Sequence, residues 1–193
     1  MPVATPQPVV LGVAGSREYV DQAGDLVIVC DLRNDTPYLV ERVQVTATLY
    51  GQDGSVLDRE TVIPLLRRVW PWGQAPAVVV LEGGQAWKNY ALRAAGWTVN
   101  PGPQGGVVLV GSEARVDDAG LYHVRGQVRN DGSQVERYTH VVVTLYDADD
   151  RVVNACLSRT VPEVLVPGGR GVFDCSFDFA PGAAWHTVQI EGD

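Results

Sequence analysis

Short stretches of the chain alternate apolar and polar residues, and turn residues separate them. Val141, Val143 and Leu145 alternate with Val142, Thr144 and Tyr146, and Val45, Ala47 and Leu49 alternate with Thr46, Thr48 and Tyr50. A period of two sends successive side chains to opposite faces, so both segments predict half-buried strands with the leucine inward. Phe173, Cys175, Phe177 and Phe179 alternate with Val172, Asp174, Ser176 and Asp178, an apolar-in, polar-out strand. Its counterpart, Val78-Val79-Val80-Leu81, is apolar throughout and predicts a strand covered on both faces. Trp87–Leu92 and Trp185–Ile190 read as closing strands. Gln52-Asp53-Gly54-Ser55 and Ala148-Asp149-Asp150-Arg151 read as hairpin turns, because Asp-Gly accepts the positive φ such turns need. No amphipathic helix is legible. The nearest candidate, Val62 to Trp70, contains Pro64, which limits it to a turn or a short 3₁₀ piece.

The pattern is written twice. Val20-Asp21-Gln22-Ala23-Gly24 returns as Val116-Asp117-Asp118-Ala119-Gly120, Arg33-Asn34-Asp35 as Arg129-Asn130-Asp131, and Thr48-Leu49-Tyr50 as Thr144-Leu145-Tyr146, each 96 residues later. Pro71-x-Gly73 and Pro167-x-Gly169 keep the offset, while Trp87 and Trp185 lie 98 apart. One spacing held this long means two copies of one folding unit. The reading is an extended Pro-rich arm over residues 1–8, one domain over 9–99, a Pro/Gly linker over 100–105 and a second domain over 106–193. Six or seven short strands in about 90 residues predict two tandem antiparallel β-sandwich domains of immunoglobulin type.

Asn130-Asp131-Gly132-Ser133, then Val141-x-Val143-Thr144-Leu145-Tyr146-Asp147, Asp149, Val152-Val153 and Leu165-x-Pro167-Gly168 resemble the FxLYD domain, a prokaryotic immunoglobulin-like family. The first copy departs from it, with Gly51 in place of the motif Asp and Trp72 in place of the Gly after Pro71. The resemblance implies a sandwich fold, an extracytoplasmic setting and no catalytic residues. Leu49 and Leu145 are expected in the core. Asn34 and Asn130 are expected at strand-to-loop corners, where Asn tolerates left-handed geometry and bonds its own backbone.

Composition narrows the functions. The net charge of −8 and pI near 4.8 disfavour nucleic acid and anionic membrane surfaces as partners. No apolar run approaches the roughly 18 residues a membrane span needs, so no membrane insertion is expected. The first ten residues lack the basic and apolar regions of a signal peptide.

Candidate chemistry is sparse. His123, His140 and His186 are not shared between the copies, and no GxSxG, HExxH or phosphate-loop motif occurs, so the reading is non-enzymatic and without a cofactor. Asp147, Asp149 and Asp150 form an acidic cluster that could ligate a hard cation. An EF-hand loop counted from Asp147 places Val152 at its glycine position and Ser158 at its closing glutamate, so the cluster is read as ordinary turn chemistry rather than a metal site. Cys156 and Cys175 fall on neighbouring predicted strands and could pair, or could stay free thiols with Cys30. The most unusual stretch is Arg67-Arg68-Val69-Trp70-Pro71-Trp72-Gly73. Val69 already aligns with Leu165, which leaves Trp70 and Trp72 surplus to the core. Tryptophan and arginine at a turn suit a protein or carbohydrate partner, or packing at a domain end. Open edge strands, with Val107-Val108-Leu109-Val110 and the arm as candidates, could support self-assembly. The expectation is a structural or interaction module of an extracellular or cell-envelope protein, its partner a second copy or an envelope component, with carbohydrate binding through Trp70 and Trp72 as the alternative.

Overall fold

The computed structural model describes residues 5–83, 86–100 and 105–192. Half of the proposed arm (1–4) and most of the linker (101–104) lie outside these residues. Among them every regular element is a strand and every pairing is antiparallel. Among the described residues no helix is long and apolar enough to cross a membrane. The chain divides into two compact units, Met1–Pro101 and Gly102–Asp193.

Unit 1 contains β1 (Pro8–Val20), β2 (Leu26–Arg33), β3 (Leu39–Tyr50), β4 (Val56–Val62), β5 (Arg68–Val69), β6 (Gln74–Leu81) and β7 (Asn89–Val99). β1 serves two layers. Pro8–Leu11 pairs with β7, whose other side meets β3, and Gly12–Val20 pairs with β2, whose other side meets β6. The change of partner falls between Leu11 and Gly12, and a register shift follows between Val13 and Gly15. Ile28, Leu32, Val45, Ala47, Leu49, Val69, Ala77 and Val79 fill the space between. Pro8 opens β1, and Gln7 exchanges hydrogen bonds with Thr98, so the last two residues assigned to a free arm belong to the sandwich.

Unit 2 contains β8 (Val107–Val116), β9 (Tyr122–Asn130), β10 (Glu136–Arg137), β11 (His140–Tyr146), β12 (Val152–Arg159), β13 (Val164–Leu165), β14 (Arg170–Phe177) and β15 (Trp185–Glu191). β10 and β11 are β3 interrupted at a bulge where Arg42 (φ 51°) and Tyr138 (φ 57°) hold matching places. The core is Val124, Val128, Val141, Val143, Leu145, Val153, Leu165, Phe173, Cys175 and Phe177. The layers are β14-β9-β8 and β12-β11-β15, and β8 pairs only with β9. The residues matching Val9 and Val10 are Gly105 and Gly106. Gly106 turns instead against Gly132, its N–H donating to the Glu136 carboxylate at 3.2 Å.

Several sequence expectations need correction. The β3–β7 register (Val45 with Ala94) and the β11–β15 register (Val141 with Ile190) keep the 96-residue offset. Trp185 therefore corresponds to Asn89 rather than Trp87. Val80 is 42% exposed, so β6, an edge strand, is not covered on both faces. β11 is the reverse case. As a central strand it has Val142, Thr144 and Tyr146 buried along with Val141, Val143 and Leu145, where a half-buried strand was expected. Phe179 falls beyond β14 and is only half-buried.

Candidate functional site

The turn after β5 is built around Asn34. This fully buried side chain donates to the carbonyls of Tyr38, Val69 and Trp70 at 2.8, 3.0 and 3.0 Å, and its Oδ1 accepts from Thr36 N–H and Oγ1. Asn130 does the same work in unit 2, donating to Gln134 and Leu165 and accepting from Gly132 N–H. Neither asparagine has positive φ, so the expected left-handed geometry is absent. The residue is a buried hydrogen-bond hub that joins the β2 end to the β5 turn.

From that anchor Trp70-Pro71-Trp72-Gly73 forms a turn closed by Gly73 N–H on Trp70 O at 2.9 Å, with Trp72 at φ 60°. Unit 2 repeats it as Val166-Pro167-Gly168-Gly169, closed at 2.7 Å, with Gly168 at φ 76°. Positive φ at the third position with Pro at the second is a type II turn, which favours glycine there. Unit 1 puts a tryptophan in that strained place and leaves it 67% exposed. Trp70 is half-buried.

Beside the turn, cross-strand registers set Arg68, Glu41, Trp97 and Pro8 side by side across β5, β3, β7 and β1. Arg68 Nε lies 3.5 Å from Glu41 Oε1, and Trp97 is 45% exposed. The β3 bulge and the loop before β5 enclose a cavity of about 320 Å³ lined by Glu41, Arg42, Ile63, Pro64, Arg67 and Arg68, with Val43 at its base. The structure therefore brings Arg67 and Arg68 into one cavity. Arg42 and Trp97 join this face through the bulge and the β3–β7 register, which the linear sequence does not display. A wider depression of about 760 Å³ lies in unit 2 and includes Gly111, Arg125, Gln127, Arg159 and Val172. Within it Arg125 pairs with Asp174 at 2.6 Å, Arg159 lies 3.5 Å from Glu163, and Glu113 adds a further carboxylate.

The other candidates have local explanations. Asp147 Oδ1 accepts the N–H groups of Asp149 and Arg151, as Asp21 and Asp117 do in two other hairpins. Asp149 faces Arg151, and Asp150 supplies the positive φ of the turn. Among the described residues no group of three or more His, Cys, Asp or Glu is placed to hold a metal ion. Cys156 and Cys175 form a disulfide, Cα to Cα 5.9 Å, joining β12 to β14 across the layers rather than within one sheet. Cys30 is a buried free thiol, pushed up to about 12 by burial and by neighbouring Asp31. His123 sits between Asp174 (2.9 Å) and Asp117 (3.3 Å). His186 Nε2 is 2.9 Å from Ser112 Oγ. That pair is matched in unit 1 by Ser16 and Tyr90 at 3.0 Å, so the two positions form a clip between layers that tyrosine fills as well as histidine.

No protein-family model and no curated protein sequence matches the chain. Solved structures that align with it include red sea bream transglutaminase (14% identity, TM-score 0.29, 95% of this chain, 29% of that one). Another is Amycolatopsis orientalis exo-chitosanase CsxA (14% identity, TM-score 0.32, 94% of this chain, 25% of that one). The chain spans well under a third of the length of either.

Proposed function

We propose that the chain is a non-enzymatic interaction module of a cell-surface or secreted prokaryotic protein, built from FxLYD-like, immunoglobulin-type sandwiches and contacting its partner through the Trp72 face of unit 1. The observation that carries this reading is the exposed tryptophan at a positive φ, where the same turn in unit 2 has Gly168. A residue kept in a strained conformation without burying its ring gains nothing from the core, and strain of this kind clusters at functional sites. The arginines beside it are of the type enriched at binding hot spots. What supports an extracytoplasmic setting is the Cys156–Cys175 disulfide, since such bonds persist in oxidising compartments.

Trp72→Gly tests the reading. Glycine accepts this φ, so the variant should unfold at the same free energy as the parent or up to about 1 kcal/mol higher. Its binding to an array of glycans and envelope proteins should fall away. A variant destabilised by about 2 kcal/mol or more, with no array signal for the parent, would make the turn a packing element instead.

A further inference from the structure

The cavity beside the Trp72 turn has a chemistry of its own. Its volume of about 320 Å³ lies at the small end of ligand sites, room for one ring or side group. Three arginines, Arg42, Arg67 and Arg68, line it with one glutamate, Glu41. That is a local charge of +2 in a chain of net charge −8. The fold does not require it, because the matching residues in unit 2 are Tyr138, Glu163, Val164 and Arg137. Glu41 orients Arg68, the bulge presents Arg42, and Ile63 is left 68% exposed at the rim. The indole of Trp97 lies in the next cross-strand position to Glu41.

We propose that this cavity binds a carboxylate carried on a sugar ring, a uronic acid residue of an acidic polysaccharide. The inference rests on the interaction-module reading and names the ligand of that face. The guanidinium fork matches both carboxylate oxygens. Ile63, which lines the cavity and is largely exposed, offers apolar surface to the C–H face of the ring. Inorganic phosphate shares the negative charge but offers no C–H face for the exposed Ile63 side chain to cover. A peptide adding as a strand needs an open edge, and at Glu41 β3 is paired on both sides, with β5 and β7.

Calorimetric titration of the full chain with trigalacturonate, its methyl ester, a glutamate-rich peptide and inorganic phosphate decides the matter. Trigalacturonate should bind, and esterification, which removes the charge and keeps the rings, should weaken binding at least about tenfold. Arg42→Gly, which tolerates the bulge φ, combined with Arg67→Gln should cause a similar loss with an unchanged thermal melt. If that double variant unfolds, the acid-versus-ester comparison on the parent still decides. Equal binding of acid and ester would overturn the proposal, as would equal or tighter binding of the peptide or phosphate, or no trigalacturonate heat up to about 10 mM. If Trp72→Gly abolishes array binding while galacturonate never binds, the interaction face stands and the uronate assignment falls.

Discussion

Asn34 and Asn130 each satisfy several main-chain groups that would otherwise be stranded at a loop entering the core. An unmade buried hydrogen bond costs more than a made one gains. Asn130→Ala is therefore expected to lower the unfolding free energy by about 3 kcal/mol, read from urea denaturation, whereas removing an exposed turn asparagine would cost far less. The repeat made these residues legible as structural, but not their burial, because Asn at a loop boundary is more often a solvent-facing turn residue. Cys30 gives a second test. Its thiol is fully buried and pushed up to about 12, so it should resist a thiol reagent in the native protein at neutral pH and react once denatured. Rapid native labelling would place it in a locally opening segment.

Each hairpin strand depends on who caps its turn. Asp147 accepts backbone N–H groups as Asp21 and Asp117 do in their own hairpins, which is the turn chemistry that the failed EF-hand spacing points to. The Ser112–His186 clip was invisible in the sequence: a histidine replaces a tyrosine in the second copy, so no shared motif marks it. The β9–β14 pair carries a pH dependence. Asp117 is held below its ordinary 3.8 chiefly by the Leu121 N–H, with further help from His123 and the Ala119 N–H. At Asp174 burial pushes the carboxyl up, but hydrogen bonds from His123 and Arg125 outweigh it and the net shift is downward. A carboxyl depressed by folding stabilises at every pH above its unfolded value, and the contribution drains away as pH falls through the folded value. Stability should therefore decline below about pH 4, and Asp174→Asn should flatten that decline in urea titrations between about pH 5 and pH 2. An identical slope in the variant would remove Asp174 from the acid response.

The two units reach closure by different means, and this is where the 96-residue offset stops being a guide. In unit 1 the strand β1 runs through both layers, tying β7 to β2 by backbone hydrogen bonds. In unit 2 glycines stand where Val9 and Val10 would be, β8 joins one layer only, and the layers are linked instead by the Cys156–Cys175 disulfide. Duplication announced the scaffold from Val20 to Gly73, since burial patterns constrain both copies alike. It could not announce how each copy is sealed, because one uses a continuous strand and the other a covalent link at positions that hold Glu60 and Val79 in the first. The bridged cysteines lie 19 residues apart, so the crosslink contributes about 3 kcal/mol, chiefly by restricting the unfolded chain. Thermal unfolding should accordingly show two transitions, of which a reductant lowers one and leaves the other in place. Cys156→Ala with Cys175→Ala should reproduce the shifted transition without reductant. Tryptophan fluorescence can assign it through Trp185, since the other tryptophans belong to unit 1. A single transition that moves as a whole on reduction would mean that the crosslink stabilises one cooperative body, and the independent sealing of the two units would have to be abandoned.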